Sequence, residues 1–217
     1  MEDILIKINR KNDIKNKEAQ FAVKRIMDII LSIIGIIILS PVYIAIIFTI
    51  KLDSKGPSIF KQIRIGKDEV PFTIYKFRTM VINAESKQTL EIDAEDIKNF
   101  VFQSKNDSRI TKVGAFLRES SLDEIPQLFN VLIGNMSLVG PRPEIPEVVK
   151  LYPQNYRQRL FVKPGITGLA QVSGRGEIEL GKTVFYDLSY IKAFSVGYDI
   201  KLIFKTFVNV IKKEGAF

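Results

Sequence analysis

The feature that most constrains the fold of this chain is a long run without charge near its N-terminus. Residues Ile29–Ile50, IILSIIGIIILSPVYIAIIFTI, contain no Asp, Glu, Lys or Arg. At about 1.5 Å per residue, a helix of this length could cross the roughly 30 Å hydrocarbon core of a bilayer. A cleaved signal peptide fits poorly, because its apolar region is usually about 7–15 residues long. We therefore predict a membrane segment over residues 26–51, preceded by a basic N-terminal segment, 1–25.

The path of this segment depends on the pair Ser40-Pro41 in its middle. A proline inside a helix removes a hydrogen bond and clashes with the preceding turn, at a cost of about 3 kcal/mol. The hydroxyl of Ser40 could satisfy backbone groups that are freed in this way. Basic residues flank the segment on both sides, with Lys24 and Arg25 before it and Lys51 after it. Because Lys and Arg favour the cytoplasmic side, we favour a helix that enters, breaks at Ser40-Pro41 and returns over a single kinked span.

The composition limits the chemistry available to the chain. Lys and Arg total 32 against 24 acids, a net charge of +8, which suits an anionic partner such as a lipid surface, a phosphorylated substrate or nucleic acid. There is no His and no Cys, which excludes Ser/His and Cys/His triads, imidazole bases and the usual zinc ligands. Carboxylates, lysines, hydroxyls and a hard cation remain. The absence of Cys also excludes disulfides and fits a reducing cytosol.

Residues 118–144, RESSLDEIPQLFNVLIGNMSLVGPRPE, contain the strongest candidate site. Adjacent carboxylates, Asp123 and Glu124, lie between Arg118 and Arg142. Two acids between two arginines indicate a metal-assisted site for an anion. However, Ser121-x-x-Glu124 is also a capping-box pattern, in which both side chains bind free backbone N–H groups at the start of a helix. On this stretch alone both interpretations remain open.

Residues 52–217 are interpreted as one globular domain. Apolar and polar residues alternate on both sides of Gly66-Lys67-Asp68, which predicts a β-hairpin, and helical spacing follows Glu124. Lys76 and Arg78 are two positions apart, so they share one face if this is a strand. The predicted fold class is α/β, a helix-rich α+β domain with an N-terminal re-entrant membrane helix hairpin and amphipathic interfacial helices.

Two features in the last third of the domain each have two interpretations. Lys163 begins the loop KPGITG, which is followed by Arg175. Glycines allow a backbone to approach phosphate closely, but an ordinary glycine turn explains the loop equally well. Residues 199–213 form a predicted amphipathic helix with lysines beside its apolar face. That face could pack in the core or lie along an anionic lipid surface.

The order of the motifs resembles that of the bacterial sugar transferase family, which comprises monotopic polyprenyl-phosphate phosphoglycosyl transferases. The motifs, in order, are KR at 24–25, SP at 40–41, GP at 56–57, YKFRTM at 75–80, SLDEIPQ at 121–127, PRP at 141–143 and KPGITG at 163–168. The resemblance extends over residues 21–212, and the length resembles the minimal form of the family, which lacks additional N-terminal transmembrane helices.

The resemblance implies that a sugar phosphate moves from a UDP-sugar to a polyprenyl phosphate such as undecaprenyl phosphate, as the first membrane step of glycan assembly. Asp123 matches the family nucleophile, which attacks the sugar-bearing phosphorus, releases UMP and forms a covalent phosphosugar-aspartate. Glu124 matches the second member of the dyad, which is implied to assist through magnesium or proton handling, and Mg²⁺ is the implied cofactor, held by both carboxylates. The implied location is the bacterial inner membrane, with the catalytic domain on the cytoplasmic face.

Several further residues match family positions and are expected to bind substrate: Arg118, Arg142, Lys76, Arg78, Lys163, Arg175 and Asp187. For Arg118 and Arg142 the alternative is a structural ion pair, and for Asp187 it is the orientation of an arginine. Many relatives carry a Trp shortly after the Gly-Arg pair, whereas this chain reads GRGEIELGKTVF and contains no Trp. The identity of the sugar is therefore not carried over from the family.

Two other classes of protein were weighed. A non-catalytic membrane scaffold of a glycan-assembly complex would keep the fold without the chemistry, but the intact SLDE, PRP and KPGITG motifs argue against it. A nucleic-acid-binding protein would leave the apolar segment unexplained, and the sequence has no recognised motif of that class. The expected partners are a UDP-sugar, a polyprenyl phosphate and an anionic membrane surface. Downstream glycosyltransferases and a second copy of the chain are further candidates.

Overall fold

The computed structural model of the chain describes residues 6–84, 97–100, 107–174 and 178–212. The α-helices in these ranges are α1 Glu18–Asp53, α2 Lys112–Glu119, α3 Gln127–Ile133, α4 Pro146–Lys150, α5 Gln154–Arg157, α6 Leu169–Gly174, α7 Leu180–Ala193 and α8 Val196–Ile211. The strands are β1 Ile59–Ile65, β2 Pro71–Phe77, β3 Ser137–Val139 and β4 Gly165–Thr167. The predicted helix-rich α/β class is confirmed.

The strands form two small sheets. β1 and β2 pair in antiparallel register, with Ile65 opposite Pro71, which confirms the hairpin predicted around Gly66. β3 and β4 form a parallel pair, in which Val139 lies opposite Thr167. The amide of Ile65 donates to the carbonyl of Glu144 at 2.9 Å. This bond connects the hairpin to the chain that leaves β3.

The main hydrophobic core lies beside β3, where α4, α7 and α8 meet. Its fully buried members include Val139, Val148, Leu180, Leu188 and Ile191. A second, smaller cluster packs the C-terminal half of α1 against β2 and α2; its buried members are Ile46, Ile50, Phe77 and Leu117. Both halves of α1 therefore contact the globular part of the chain.

Helix α1 has the length and composition of a membrane helix. It contains 36 residues, and its apolar window has a mean hydropathy of 2.7 with only 11% of that window buried. Ile37 and Ile38, near its middle, are 66% and 68% exposed. The core helix of a soluble protein would bury such residues, whereas α1 presents a large apolar surface to its surroundings.

Helical structure continues through Ser40 and Pro41, where the sequence predicted a break. Pro41 has no N–H to donate to the carbonyl of Ile37, four residues earlier. The hydroxyl of Ser40 donates to that same carbonyl at 2.8 Å, as expected for a side chain that compensates for the proline. The lost hydrogen bond is thus replaced and the helix continues. The re-entrant path of the chain stays a prediction.

Buried charges attach the N-terminal half of α1 to the core. Lys24 is 6% exposed, forms an ion pair with Asp199 of α8 and donates to the carbonyl of Val139 at 2.9 Å. The hydroxyl of Tyr190 donates to the other oxygen of Asp199 at 2.7 Å. A buried charge is stable only when it is paired, so this network fixes α1 against β3 and α8.

Loss of the lysine should therefore destabilise the protein strongly. Lys24→Ala leaves Asp199 buried without its cation, which we expect to lower the free energy of unfolding by about 3–5 kcal/mol. For a chain of this size the expected decrease in Tm is roughly 6–20 °C, measured by circular dichroism in detergent. Lys201→Ala removes an exposed lysine from α8, the helix of Asp199, and should change Tm by no more than about 2 °C. Equal Tm values for the two variants would contradict the role of the pair.

Candidate active site

Asp123 and Glu124 lie on a single 3₁₀ turn, Leu122–Glu124, between α2 and α3. Ser121, just before the turn, has a left-handed backbone with φ of 56°, and in the described chain its side chain makes no capping hydrogen bond. The side chain of Glu124 contacts two cations instead of a backbone N–H. The capping-box interpretation is therefore wrong. The helix that follows, α3, begins only at Gln127.

Glu124 is held by two cations that share one of its oxygens. Its Oε1 accepts a hydrogen bond from Nζ of Lys76 at 2.8 Å and another from Nη1 of Arg142 at 2.9 Å. Burial alone would raise the pKa of Glu124, but the charges and hydrogen bonds of Arg142 and Lys76 together outweigh burial and hold the pKa below its usual value. Glu124 is therefore a fixed, ionised carboxylate.

Asp123 is adjacent to Glu124 but lies in a different environment. Within the described residues its carboxylate accepts no hydrogen bond. Burial raises the pKa of Asp123 to about 6. The charge of Lys76 opposes this increase, that of Glu124 adds to it, and the charges of Arg142 and Arg118 oppose it. Asp123 thus combines a raised pKa with carboxylate oxygens to which no described residue donates a hydrogen bond.

The position of Arg118 depends on a close approach between α2 and the chain after β2. Arg118 lies in the last turn of α2, and its Nε donates to Oγ1 of Thr79 at 3.0 Å. A β-carbon at Gly114 would lie only 2.0 Å from the carbonyl oxygen of Thr79. Because only glycine fits at this contact, Gly114 is the residue that lets α2 approach Thr79.

Asn130 of α3 joins the helix to the edge of β2. Its Oδ1 accepts from the amide of Tyr75 at 3.0 Å, and its Nδ2 donates to the carbonyl of Thr73 at 2.7 Å. Asn130 is fully buried, so both bonds satisfy groups that water does not reach. Lys76 follows Tyr75 directly. This contact therefore fixes the distance between Lys76 and the turn that carries the dyad.

A buried network supports the Pro141-Arg142-Pro143 turn. Arg159 is 1% exposed and donates from Nη2 to the carbonyl of Arg142 at 3.0 Å. The guanidinium of Arg159 also forms ion pairs with Asp187 at 2.6 Å and with Glu144 at 3.2 Å. The backbone of Arg142 is thus held from within the core while its side chain reaches Glu124. In this structure Asp187 orients Arg159, one of the two roles that its sequence position allowed.

Two of the other predicted substrate contacts, Arg78 and Lys163, are not brought to the dyad. The guanidinium of Arg78 donates at 2.9 and 2.7 Å to backbone carbonyls just beyond the end of α1. Arg78 directly follows β2, which ends at Phe77, so the face that it was expected to share with Lys76 stays a prediction. Lys163 lies beside Gly134, at the far end of α3 from the dyad. Arg175 lies outside the described residues.

The structure therefore gathers Lys76, Arg118 and Arg142 around Asp123 and Glu124. Sequence reasoning did not find the residues that support them, such as Arg159, Thr79 and Asn130. Arg159 is one of three basic residues between positions 157 and 163, and no spacing distinguishes it from the others. Only one feature of the sequence pointed to Glu144 as a supporting residue, its position directly after the Pro-Arg-Pro turn.

The chain is similar in sequence to several known proteins. Undecaprenyl-phosphate galactose phosphotransferase of Salmonella typhimurium is 42% identical over 95% of this chain and 44% of its own length. UDP-glucose:undecaprenyl-phosphate glucose-1-phosphate transferase of Klebsiella pneumoniae is 44% identical over 88% of this chain and 41% of its own length. An uncharacterized sugar transferase of Haemophilus influenzae is 44% identical over 89% of this chain and 42% of its own.

The chain spans less than half of the length of each of these relatives. The sequence pattern of the bacterial sugar transferases matches residues 19–213, a range that begins just inside α1 and includes the dyad, the Pro-Arg-Pro turn and α8. Because the match extends over most of the chain, the protein belongs to the bacterial sugar transferase family.

Proposed function

We propose that the chain transfers a sugar-1-phosphate from a UDP-sugar to undecaprenyl phosphate through a covalent phosphosugar-aspartate. The relatives from S. typhimurium and K. pneumoniae are named for transfer of a sugar phosphate to undecaprenyl phosphate. The observation that best supports the proposal is the difference between the partners of Asp123 and those of Glu124. Glu124 is held by two cations, whereas the carboxylate of Asp123 accepts no hydrogen bond from the described chain.

In the first step, an oxygen of Asp123 attacks the sugar-bearing phosphorus of the UDP-sugar. The bond from this phosphorus to the bridging oxygen breaks, and UMP leaves with the bonding electron pair. The sugar phosphate remains on Asp123 as an acyl phosphate. Phosphoryl transfer depends mainly on positioning and on neutralisation of negative charge. Lys76, Arg118 and Arg142 supply that charge, and the two arginines are the proposed contacts of the diphosphate.

In the second step, a phosphate oxygen of undecaprenyl phosphate attacks the same phosphorus and displaces Asp123. The product is the undecaprenyl diphosphate sugar, and the carboxylate is restored. Because phosphate monoesters are largely ionised near neutral pH, neither the attacking nor the leaving oxygen requires an imidazole base or acid. A chain without His is therefore equipped for both steps.

Magnesium is the proposed cofactor. Among the described residues no group of three acidic, His or Cys side chains could hold a metal ion. Mg²⁺ often binds through one or two carboxylates together with substrate phosphates and water. Asp123 and the second oxygen of Glu124, to which neither cation donates, fit that pattern. When bound there, Mg²⁺ would neutralise charge on the diphosphate.

We further propose that α1 enters the bilayer and returns to the cytoplasmic side. Its N-terminal half is attached to the core through Lys24 and Asp199, and its C-terminal half packs through Ile46 and Ile50 against Phe77. A straight span would separate its two ends by the roughly 30 Å bilayer core. Contacts of both halves with one globular part support the re-entrant path. The basic residues on both flanks support the cytoplasmic side.

An exposed apolar face on α8 supports a position on the membrane surface. Four large side chains on this face are 56–80% exposed: Ile200, Phe204, Phe207 and Ile211. Asp199 and Leu202 are the buried residues of α8. Core packing therefore does not account for the exposed face, and we propose that it lies in the lipid interface with its lysines toward the headgroups.

Asp123→Asn is the direct test of the proposed activity. Turnover should fall by at least about 10³-fold, because an amide cannot act as the nucleophile. The measurement is UMP release across a panel of UDP-sugars, with undecaprenyl phosphate and Mg²⁺ present. Lys150→Gln changes an exposed lysine on α4 and is the matched control, expected to keep wild-type turnover. Undiminished UMP release by Asp123→Asn would remove Asp123 as the nucleophile.

The same two carboxylates should differ in their effect on stability. Asp123→Asn should leave Tm unchanged or raise it at pH 7, because a carboxyl with a raised pKa opposes folding when it is ionised. Glu124→Gln should lower stability by about 1–3 kcal/mol, since Lys76 and Arg142 lose their charged partner. Thermal unfolding in metal-free detergent buffer measures both. A greater loss of stability in Asp123→Asn than in Glu124→Gln would contradict the described pairing.

Cysteine labelling tests the membrane path in this Cys-free chain. Asn12→Cys and Lys61→Cys place exposed thiols before and after α1, and Lys150→Cys marks the globular part. A membrane-impermeant maleimide should label all three cysteine variants in inverted vesicles and none of them in spheroplasts. Labelling of just one of Asn12→Cys and Lys61→Cys in spheroplasts would demonstrate a true span and exclude the re-entrant path.

A further inference from the structure

A cavity of about 130 Å³ lies beside Gly134, at the end of α3 that is remote from the dyad. It shares Lys67 and Lys163 with a larger cavity of about 510 Å³. The N-terminal segment, α1, β3, α7 and the loop before β4 surround the larger cavity, and its lining includes Lys24, Arg25, Lys67 and Lys163. Six of the lining residues are basic and two are acidic. Helix α3 has seven residues, so about 10 Å of helix separates the smaller cavity from the catalytic turn.

Two carboxylates near the larger cavity already have partners within the protein. Asp199 is paired with Lys24, as described above. Asp28 is 2% exposed, and its carboxylate accepts from the amide of Leu138 at 3.0 Å. Within the described residues, neither Lys67 nor Lys163 forms an ion pair with a carboxylate. The described lining of the larger cavity therefore has an excess of cationic charge, with six basic residues against Glu18 and Asp28.

Arg25 and Lys163 converge on one open space above Gly134. Two hydrogen bonds hold the guanidinium of Arg25, from Nη1 to the carbonyl of Val131 at 2.6 Å and from Nη2 to that of Leu132 at 2.8 Å. A β-carbon at Gly134 would lie 3.4 Å from Nη2 of Arg25 and 3.6 Å from Nζ of Lys163. The glycine, whose φ of +96° ends α3, thus leaves a space between two cations.

Two like charges this close oppose each other. Burial lowers the pKa of Lys163, and the neighbouring charge of Arg25 lowers it further. An anion between the two side chains would relieve this repulsion. It would also receive charge-assisted hydrogen bonds from Lys163 and from the N–H groups of Arg25 that Val131 and Leu132 leave available. Phosphate oxygens suit such a pair of donors.

The position of the space identifies the source of the phosphate. Arg25 precedes Ile29, the first residue of the uncharged run, by about one helical turn. With α1 in the bilayer, this level is the boundary where phospholipid headgroups lie. Apolar side chains, among them Phe161 and Val162, line the adjoining 510 Å³ cavity and would suit an amphiphile better than a free inorganic ion.

We propose that Arg25, Lys67 and Lys163 bind the phosphate of an anionic phospholipid headgroup at a site separate from the sugar-transfer site. A lipid bound at this site would hold the N-terminal half of α1 and the loop of Lys163 at the membrane surface. The site depends on the proposed membrane orientation but not on the transfer chemistry. Loss of catalysis in an Asp123 variant would therefore leave lipid binding unchanged.

The test is native mass spectrometry of the full chain in detergent, titrated with phosphatidylglycerol. Wild type should retain one phosphatidylglycerol molecule. Lys163→Gln and Lys67→Gln should each weaken its retention by roughly tenfold, as expected for loss of one charge-assisted bond. Lys150→Gln removes the same charge from an exposed position on α4 and should retain the lipid as wild type does. Equal retention by all four proteins would overturn the proposal.

Two further titrations identify the source of the phosphate. Sodium phosphate should not displace the lipid at concentrations equal to that of phosphatidylglycerol; displacement would assign the site to free phosphate and overturn the lipid assignment. Undecaprenyl phosphate at equimolar concentration should leave the bound phosphatidylglycerol in place. Its displacement by undecaprenyl phosphate would make the space part of the acceptor site and overturn a separate lipid site.

Discussion

The two ion pairs formed by Glu124 connect the separate parts of the active site. Lys76 comes from the β-hairpin and Arg142 from the Pro-Arg-Pro turn, and both donate to one oxygen of Glu124. The hairpin and the chain after β3 are therefore held on either side of the catalytic turn. Asp123, the preceding residue, receives no such donor within the described chain. The structural role of one carboxylate leaves the other available for reaction.

Buried ion pairs also connect this site to the rest of the molecule. Arg159 lies in the core and fixes the carbonyl of Arg142, and Lys24 joins α1 to Asp199. Each pair is costly to desolvate, so removing either partner leaves a buried charge with no compensation. As a result, the membrane helix and the catalytic turn are attached to the same core. If α1 lies in the bilayer as proposed, these attachments would hold Asp123 at a fixed distance from the membrane.

The features that could be predicted from sequence depend on neighbours along the chain. Gly66 marked the hairpin, and Ser40 was expected to satisfy a group freed by Pro41. The acidic dyad was identifiable because an intact motif surrounds it.

Sequence patterns were least informative where long-range contacts replaced local ones. The capping-box alternative had Glu124 reach back to a backbone N–H three residues away, but Glu124 pairs with cations 48 and 18 positions away in the chain. Arg78 and Lys163 were grouped with the dyad by motif. The side chain of Arg78 instead donates to the chain at the end of α1, and that of Lys163 lies beside Gly134. No local pattern indicates Arg159, because its partners are distributed over the Pro-Arg-Pro turn and α7.

The central claim is that Asp123 carries the sugar phosphate. The full chain, incubated with its UDP-sugar and Mg²⁺ without lipid acceptor, can be quenched, digested and mapped by mass spectrometry. The account predicts one sugar-phosphate adduct on Asp123, which disappears when undecaprenyl phosphate is added and never forms in Asp123→Asn. An adduct on Glu124, or turnover of UDP-sugar to lipid product with no adduct on the protein, would contradict it.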